Sequence, residues 1–151
     1  MEENQEQKKI NSSEELVKRF SSEREHWKDT VGNLSSRLQD IYKVSDLLTD
    51  LYSQRQIALE YSHELMAHLV RLNKLLRSKR ADKWLHYTQN YDLRLDKEPK
   101  NLLIDVDLGP IIEQKEMVEN HYNYMKETVK TIDTICFGVK YRISLEEFKR
   151  G

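Results

Sequence analysis

An all-α fold is predicted by three observations. Chain breakers are scarce: Gly stands only at 32, 109, 138 and 151 and Pro only at 99 and 110, so nothing interrupts helix from Asn33 to Glu98. Two long apolar series recur at alternating steps of three and four residues, the pattern of a helical seam. Hydrophobic residues make up 38% and charged residues 34% of the chain, which suits elongated helices with much solvated surface. The expected architecture is a set of long coiled-coil-like helices joined by a loop near 88–107, a helical hairpin that assembles into a homo-oligomer, with 14–151 as one helical domain.

Residues 1–13 are polar and charged and are expected to be disordered or frayed, until Ser12 or Ser13 caps a helix whose first turn holds Glu14 and Glu15. From Trp27 the seam runs through Val31, Leu34, Leu38, Ile41, Ser45, Leu48, Tyr52, Arg55, Leu59, Ser62, Met66, Leu69, Asn73 and Leu76, with eleven of its fifteen positions apolar. An unbroken helix from 14 to 87 would be roughly 110 Å long at 1.5 Å per residue, too long for one compact domain. A break is therefore expected, at Gly32 or at Val44-Ser45-Asp46, where Ser45 could cap a new helix. Tyr91 to Asp96 alternates apolar and polar, and Pro99 disfavours helix at Glu98, so the loop is expected to continue through Leu102-Leu103-Ile104-Asp105-Val106. Helix resumes over 108–143, with Asp107 as N-cap and Pro110 tolerated in the first turn. Its seam is Ile111, Lys115, Val118, Tyr122, Met125, Val129, Ile132, Cys136, Val139 and Ile143, and Val118, Tyr122, Met125, Val129, Ile132, Val139 and Ile143 are the candidate oligomerisation residues. Gly138 is a candidate kink, and Ser144-Leu145-Glu146-Glu147 reads as a capping box for a short final helix.

Several classes of chemistry find no support. The chain has neither G-x-x-x-x-G-K-[ST] nor G-x-G-x-x-G, so a nucleotide hydrolase is not expected. His63 and His68 are five apart, about 140° around a helix, and cannot share an ion as the histidines of H-E-x-x-H do, while His26, His86 and His121 stand alone in sequence. Asp105 and Asp107 could hold a divalent ion, but turn formation and capping explain them as well. No catalytic residues, metal or cofactor are expected. The single cysteine, Cys136, forbids an internal disulfide and reads as a core residue of a cytoplasmic protein. No run of 18 apolar residues and no apolar amino-terminal signal segment occurs, so neither a membrane nor processing is expected.

The informative stretch is 71–91. Arg71, Lys74, Arg77, Lys79, Arg80 and Lys83 face only Asp82 as counter-charge, and they lead into Trp84, Tyr87 and Tyr91. Residues 88–121, in contrast, hold four basic against eight acidic residues. Cations along a helix can neutralise successive phosphates, and flat rings stack on any unpaired base, so these nine residues are the candidate nucleic-acid-binding set. In a helix Arg77, Arg80, Trp84, Tyr87 and Tyr91 fall on one stripe, which would point charge and rings the same way.

The order of segments resembles the UvsY family of phage recombination mediators over about residues 72–151. The resemblance rests on Lys79-Arg80-Ala81-Asp82-Lys83-Trp84 with Tyr87, then Tyr91-Asp92-Leu93-Arg94, then Lys100-Asn101-Leu102-Leu103-Ile104-Asp105. Its most specific part is a terminal F-x-[IV]-K-x-x-I-x-x-x-x-F-x-x-G pattern met by Phe137, Val139, Lys140, Ile143, Phe148 and Gly151. The chain departs from it with Ile135-Cys136 where members carry an Arg, and with Leu85-His86-Tyr87 where members pair two aromatics.

The resemblance implies a non-enzymatic accessory protein that binds single-stranded DNA, contacts a single-strand DNA-binding protein and helps load a RecA-like recombinase. It further implies a homo-oligomeric ring, a hexamer or heptamer, acting in the host cytoplasm if the chain is phage-encoded. A ring would repeat one modest cationic patch into an avid surface. The alternative is a structural or adaptor coiled-coil protein of phage assembly, whose basic patch meets an acidic protein surface.

Overall fold

A computed structural model describes residues 2–89 and 96–151, with side chains from Ser12 onward. Four α-helices account for nearly all of them: α1 (Glu2–Ser36), α2 (Val44–Gln89), α3 (Lys97–Asp107) and α4 (Gly109–Arg150). Two 3-10 turns, Arg37–Gln39 and Ile41–Lys43, join α1 to α2. No strand occurs among the described residues, so the chain is all-α. It divides into two compact units, 18–64 with 121–151 and 1–17 with 65–120.

The first of these packs three helical segments around one core. Phe20, Trp27 and Leu34 recur every seven residues on α1, Val44, Leu47, Leu51, Ala58 and Ser62 line α2, and Met125, Ile132 and Val139 repeat the heptad on α4. Arg55 reaches Asp133 at 2.6 Å across the α2–α4 contact. Arg37 reaches Asp50 at 2.6 Å across the α1–α2 corner, and the Arg142 guanidinium donates to the carbonyls of Leu38 and Gln39. The break between α1 and α2 falls in the turns, where the Asp40 carboxylate accepts from the Tyr42 amide at 3.1 Å. Asp40 thus caps the second 3-10 turn, which leads into α2, Ser45 lies inside α2, and Gly32 lies inside α1.

In the second unit α2, α3 and α4 meet at Leu76, Ile104 and Leu108, with Tyr87, Ile111 and Ile112 packed alongside. The expected loop over 88–107 is corrected here, because α2 runs to Gln89 and 97–107 is helix. Pro99 is the third residue of α3, where the missing amide would have had no intrahelical acceptor, and Ile104 and Leu108 stand four apart on the buried face. The alternation at 91–96 falls almost wholly outside the described residues. Asp107 does not cap α4. Its carboxylate is engaged elsewhere, and the Leu108 carbonyl accepts from the amides of Ile111 and Ile112, each at 3.0 Å.

Three further expectations are revised. Helix begins at Glu2, so the backbone at 2–13 is helical and neither Ser12 nor Ser13 is a cap; Glu, Gln and Lys are strong helix formers. On α2 the buried line is Val44, Leu47, Leu51, Ala58, Ser62, Leu65, Leu69, Leu72 and Leu76. The expected seam matches it at 62, 69 and 76 and lies one residue away at 45, 48, 52, 59, 66 and 73, which explains why Ser45 and Asn73 interrupted it and why Tyr52 and Met66 are exposed. α4 continues through Gly138 to Arg150, and the Ser144 hydroxyl donates to the Lys140 carbonyl from mid-helix, so no capping box forms.

The α4 seam is read correctly as a stripe, and five of its seven candidate oligomerisation residues are already buried within one chain. Val118, Met125, Ile132 and Val139 have no exposed surface, and Val129 is buried, all within a single chain. Having no area left to bury, they are core. Tyr122 and Ile143 are half-buried at its margin.

Candidate nucleic-acid interface

The basic segment lies on the last turns of α2, and its helical phase decides what each cation can do. Leu65, Leu69, Leu72 and Leu76 define the inward face. At 3.6 residues per turn, Arg71, Lys74 and Arg77 lie on the opposite side, whereas Arg80, Lys83 and Tyr87 continue the inward line beyond Leu76. The contacts follow that division except at Lys79, which is exposed although its phase lies near the inward line. Arg71, Lys74, Arg77 and Lys79 are exposed and make no ion pair with any described residue.

Arg80, Lys83 and Tyr87 are instead tied to α3. The Arg80 guanidinium donates to Asp105 Oδ1 at 2.8 Å, Lys83 Nζ stands 3.5 Å from Asp107 Oδ2, and the Tyr87 hydroxyl donates to the same oxygen at 2.5 Å. Tyr87 also packs its ring against the Leu76–Ile104–Leu108 cluster. Trp84 keeps 36% of its surface, and Lys100 Nζ sits 4.5 Å from the centroid of its ring while donating to Thr88 Oγ1 at 3.2 Å. Tyr91 lies outside the described residues.

Arg77, Arg80, Trp84 and Tyr87 share one side of α2, as their spacing led one to expect, but their contacts sort the basic residues into two groups. Four cations face solvent, and a second set of two cations and a phenol faces carboxylates. Asp105 and Asp107, candidates for an ion or a cap, pair with basic side chains, and no group of three or more His, Cys, Asp or Glu able to hold a metal occurs among the described residues.

A polar cluster that sequence reasoning missed lies in the other unit. His121 stands alone in the sequence but is fully buried, stacked on Phe20 at 4.1 Å between centroids and edge-on to Tyr61 at 5.7 Å. Its Nε2 lies 2.8 Å from Glu23 Oε2, a carboxylate that also accepts from the Tyr61 hydroxyl and from Arg19 Nε at 2.9 Å. Its Nδ1 has no hydrogen-bond partner among the described residues, which fits a neutral ring donating through Nε2. Burial lowers the His121 pKa more than the Glu23 carboxylate raises it. Burial also pushes Glu23 upward, but the hydrogen bonds from Tyr61, Arg19 and His121 outweigh it and leave the carboxyl below its ordinary range. The heptad phase could have flagged the site, since Phe20 falls on the buried line of α1 and His121 precedes Thr128 and Ile135 by sevens on α4. Cys136 is buried, and burial raises its pKa, which keeps it an unreactive thiol.

An apolar stripe lies exposed at the end of α4. Phe137, Tyr141, Leu145 and Phe148 are spaced by four, four and three on the end of α4 and share one side of it, and Phe137 and Phe148 are 70% and 85% exposed. No helix among the described residues is long and apolar enough to cross a membrane. Comparison of the chain with protein-family models, with curated proteins and with solved structures returns no match.

Proposed function

We propose that this protein binds single-stranded DNA through the outward face of the α2 end and acts as a recombination mediator, helping a RecA-like recombinase onto strand covered by a single-strand DNA-binding protein. The observation that carries the reading is the set Arg71, Lys74, Arg77 and Lys79, exposed on one helix with no ion pair to any described residue. Such cations neutralise phosphates regardless of sequence, and Trp84 at their edge supplies a ring for stacking. The mediator role rests on the resemblance to the UvsY family together with this face. Copies would join through the Phe137, Tyr141, Leu145 and Phe148 stripe, since Phe137 and Phe148 belong to the terminal pattern and a helix end this apolar favours a partner surface.

Titration with oligodeoxythymidine at several salt concentrations, followed by Trp fluorescence, tests binding. Affinity should fall steeply with salt, and replacing Arg71, Lys74 and Arg77 by Ala should make the log–log slope shallower by about 2, given about 0.7 per phosphate contact on a single strand. Absence of binding at low salt, or binding indifferent to salt, rejects the reading. The same apolar stripe favours a second reading, an adaptor whose α4 end docks on a protein. In that case oligonucleotide would neither bind nor compete with the partner.

A further inference from the structure

We infer that α3 carries a phosphate-mimicking clasp, in which Asp105 and Asp107 occupy Arg80 and Lys83 and restrain the nucleic-acid surface of α2. The inference rests on the single-strand binding reading above and concerns how that surface is regulated. A carboxylate oxygen 2.8 Å from a guanidinium satisfies the same donors that a phosphate oxygen would take. Asp107 closes the second position, holding Lys83 at 3.5 Å and the Tyr87 hydroxyl at 2.5 Å.

The third part of the clasp is cationic. Lys100 lies 4.5 Å over the Trp84 ring, on a π face that a base would otherwise occupy, and is steadied there by Thr88. The donors and rings most useful to a strand on this side of α2 are therefore occupied by one short helix.

Geometry also limits how the clasp opens. Ile104 is fully buried against Leu76 and Leu108, so α3 stays anchored while its polar side chains change partners. Those side chains are well hydrated, with side-chain exposures of 44% and 50% for Arg80 and Asp105. Exposed pairs contribute little stability and are screened by salt, so phosphates at high local density can displace the carboxylates. The surface then has two levels, an open set at Arg71, Lys74, Arg77 and Lys79 that makes first contact, and a guarded set at Arg80, Lys83 and Trp84 that a retained strand engages.

The test compares oligodeoxythymidine binding by the full chain, by Asp105→Asn with Asp107→Asn, and by a charge-matched control, Glu116→Gln with Glu119→Gln, exposed residues on α4. Helix content by circular dichroism verifies that each variant folds, and the amide of Asn retains an acceptor for Tyr87. The clasp predicts that the Asp variant binds about two- to tenfold more tightly than the control at low salt, a gain that shrinks as salt rises. If the unaltered chain binds but the Asp variant gains no more than the control, the carboxylates are a structural staple and the clasp is overturned while the binding reading stands. If no form binds, the binding reading fails and takes the clasp with it.

Discussion

His121 shows how one side chain acquires properties that its neighbours in sequence do not suggest. Enclosed by Phe20, Tyr61 and Tyr124, with Glu23 on Nε2 and no described residue on Nδ1, it favours the neutral ring, because a second ring proton would have no acceptor among the described residues. Its folded pKa lies below the ordinary 6.5, so the unfolded chain takes up a proton first as pH falls. The stability this arrangement supplies is present above pH 6.5 and is lost as pH falls below it, and that of Glu23, also depressed, is lost below its ordinary 4.5. Thermal melts should therefore drop on acidification, and His121→Leu should flatten the upper part of that drop, by at most about 1.4 kcal/mol per pH unit for one proton. A melting curve unchanged in pH dependence by the substitution would show that His121 titrates alike in both states. At this same scale the sequence was informative about Cys136, whose apolar spacing placed it in the core, and silent about Glu23, since nothing in a lone carboxylate at residue 23 reveals that a phenol, a guanidinium and an imidazole converge on it.

At the level of elements, the scarcity of Gly and Pro foretold long helices, and the exceptions mark where local signals are ambiguous. Pro99 was read as a stop, yet it sits in the first turn of α3, because a proline is excluded only where an amide has a partner to lose. Ser144 begins a capping-box pattern and remains mid-helix, since nothing breaks α4 ahead of it. Gly32 was a candidate break and is an exposed position within α1, with nothing beyond the helix's own backbone and its chain neighbours within 4 Å of an added Cβ and no positive φ. Gly32→Ala should accordingly stabilise the chain by about 0.4–1 kcal/mol, read as a rise in the denaturation midpoint, through reduced freedom of the unfolded chain and better helix propensity. A fall in stability would mean that α1 bends at this glycine.

For the whole molecule, the question is which apolar surface serves the chain itself and which serves a partner. The seam of α4 is spent internally, whereas Phe137, Tyr141, Leu145 and Phe148 remain outside. Mass measurement in solution should find a multimer, and Phe137→Ser with Phe148→Ser should reduce it to a single-chain mass without loss of helix; a monomer before substitution would remove the stripe from any role in self-assembly. Periodicity and composition alone determined that this protein is helical, where its apolar stripes run along α4, and that cations gather before Trp84, because helix propensity and 3.6-residue spacing are local properties. Only the tertiary structure decided the phase of the α2 seam, the burial of His121 and which cations stay open. A seam with apolar residues at two adjacent positions has two nearly equivalent faces, and the choice between them belongs to whatever packs there. That choice turns Arg80 and Lys83 toward the carboxylates of α3 and leaves Arg71, Lys74 and Arg77 to the solvent.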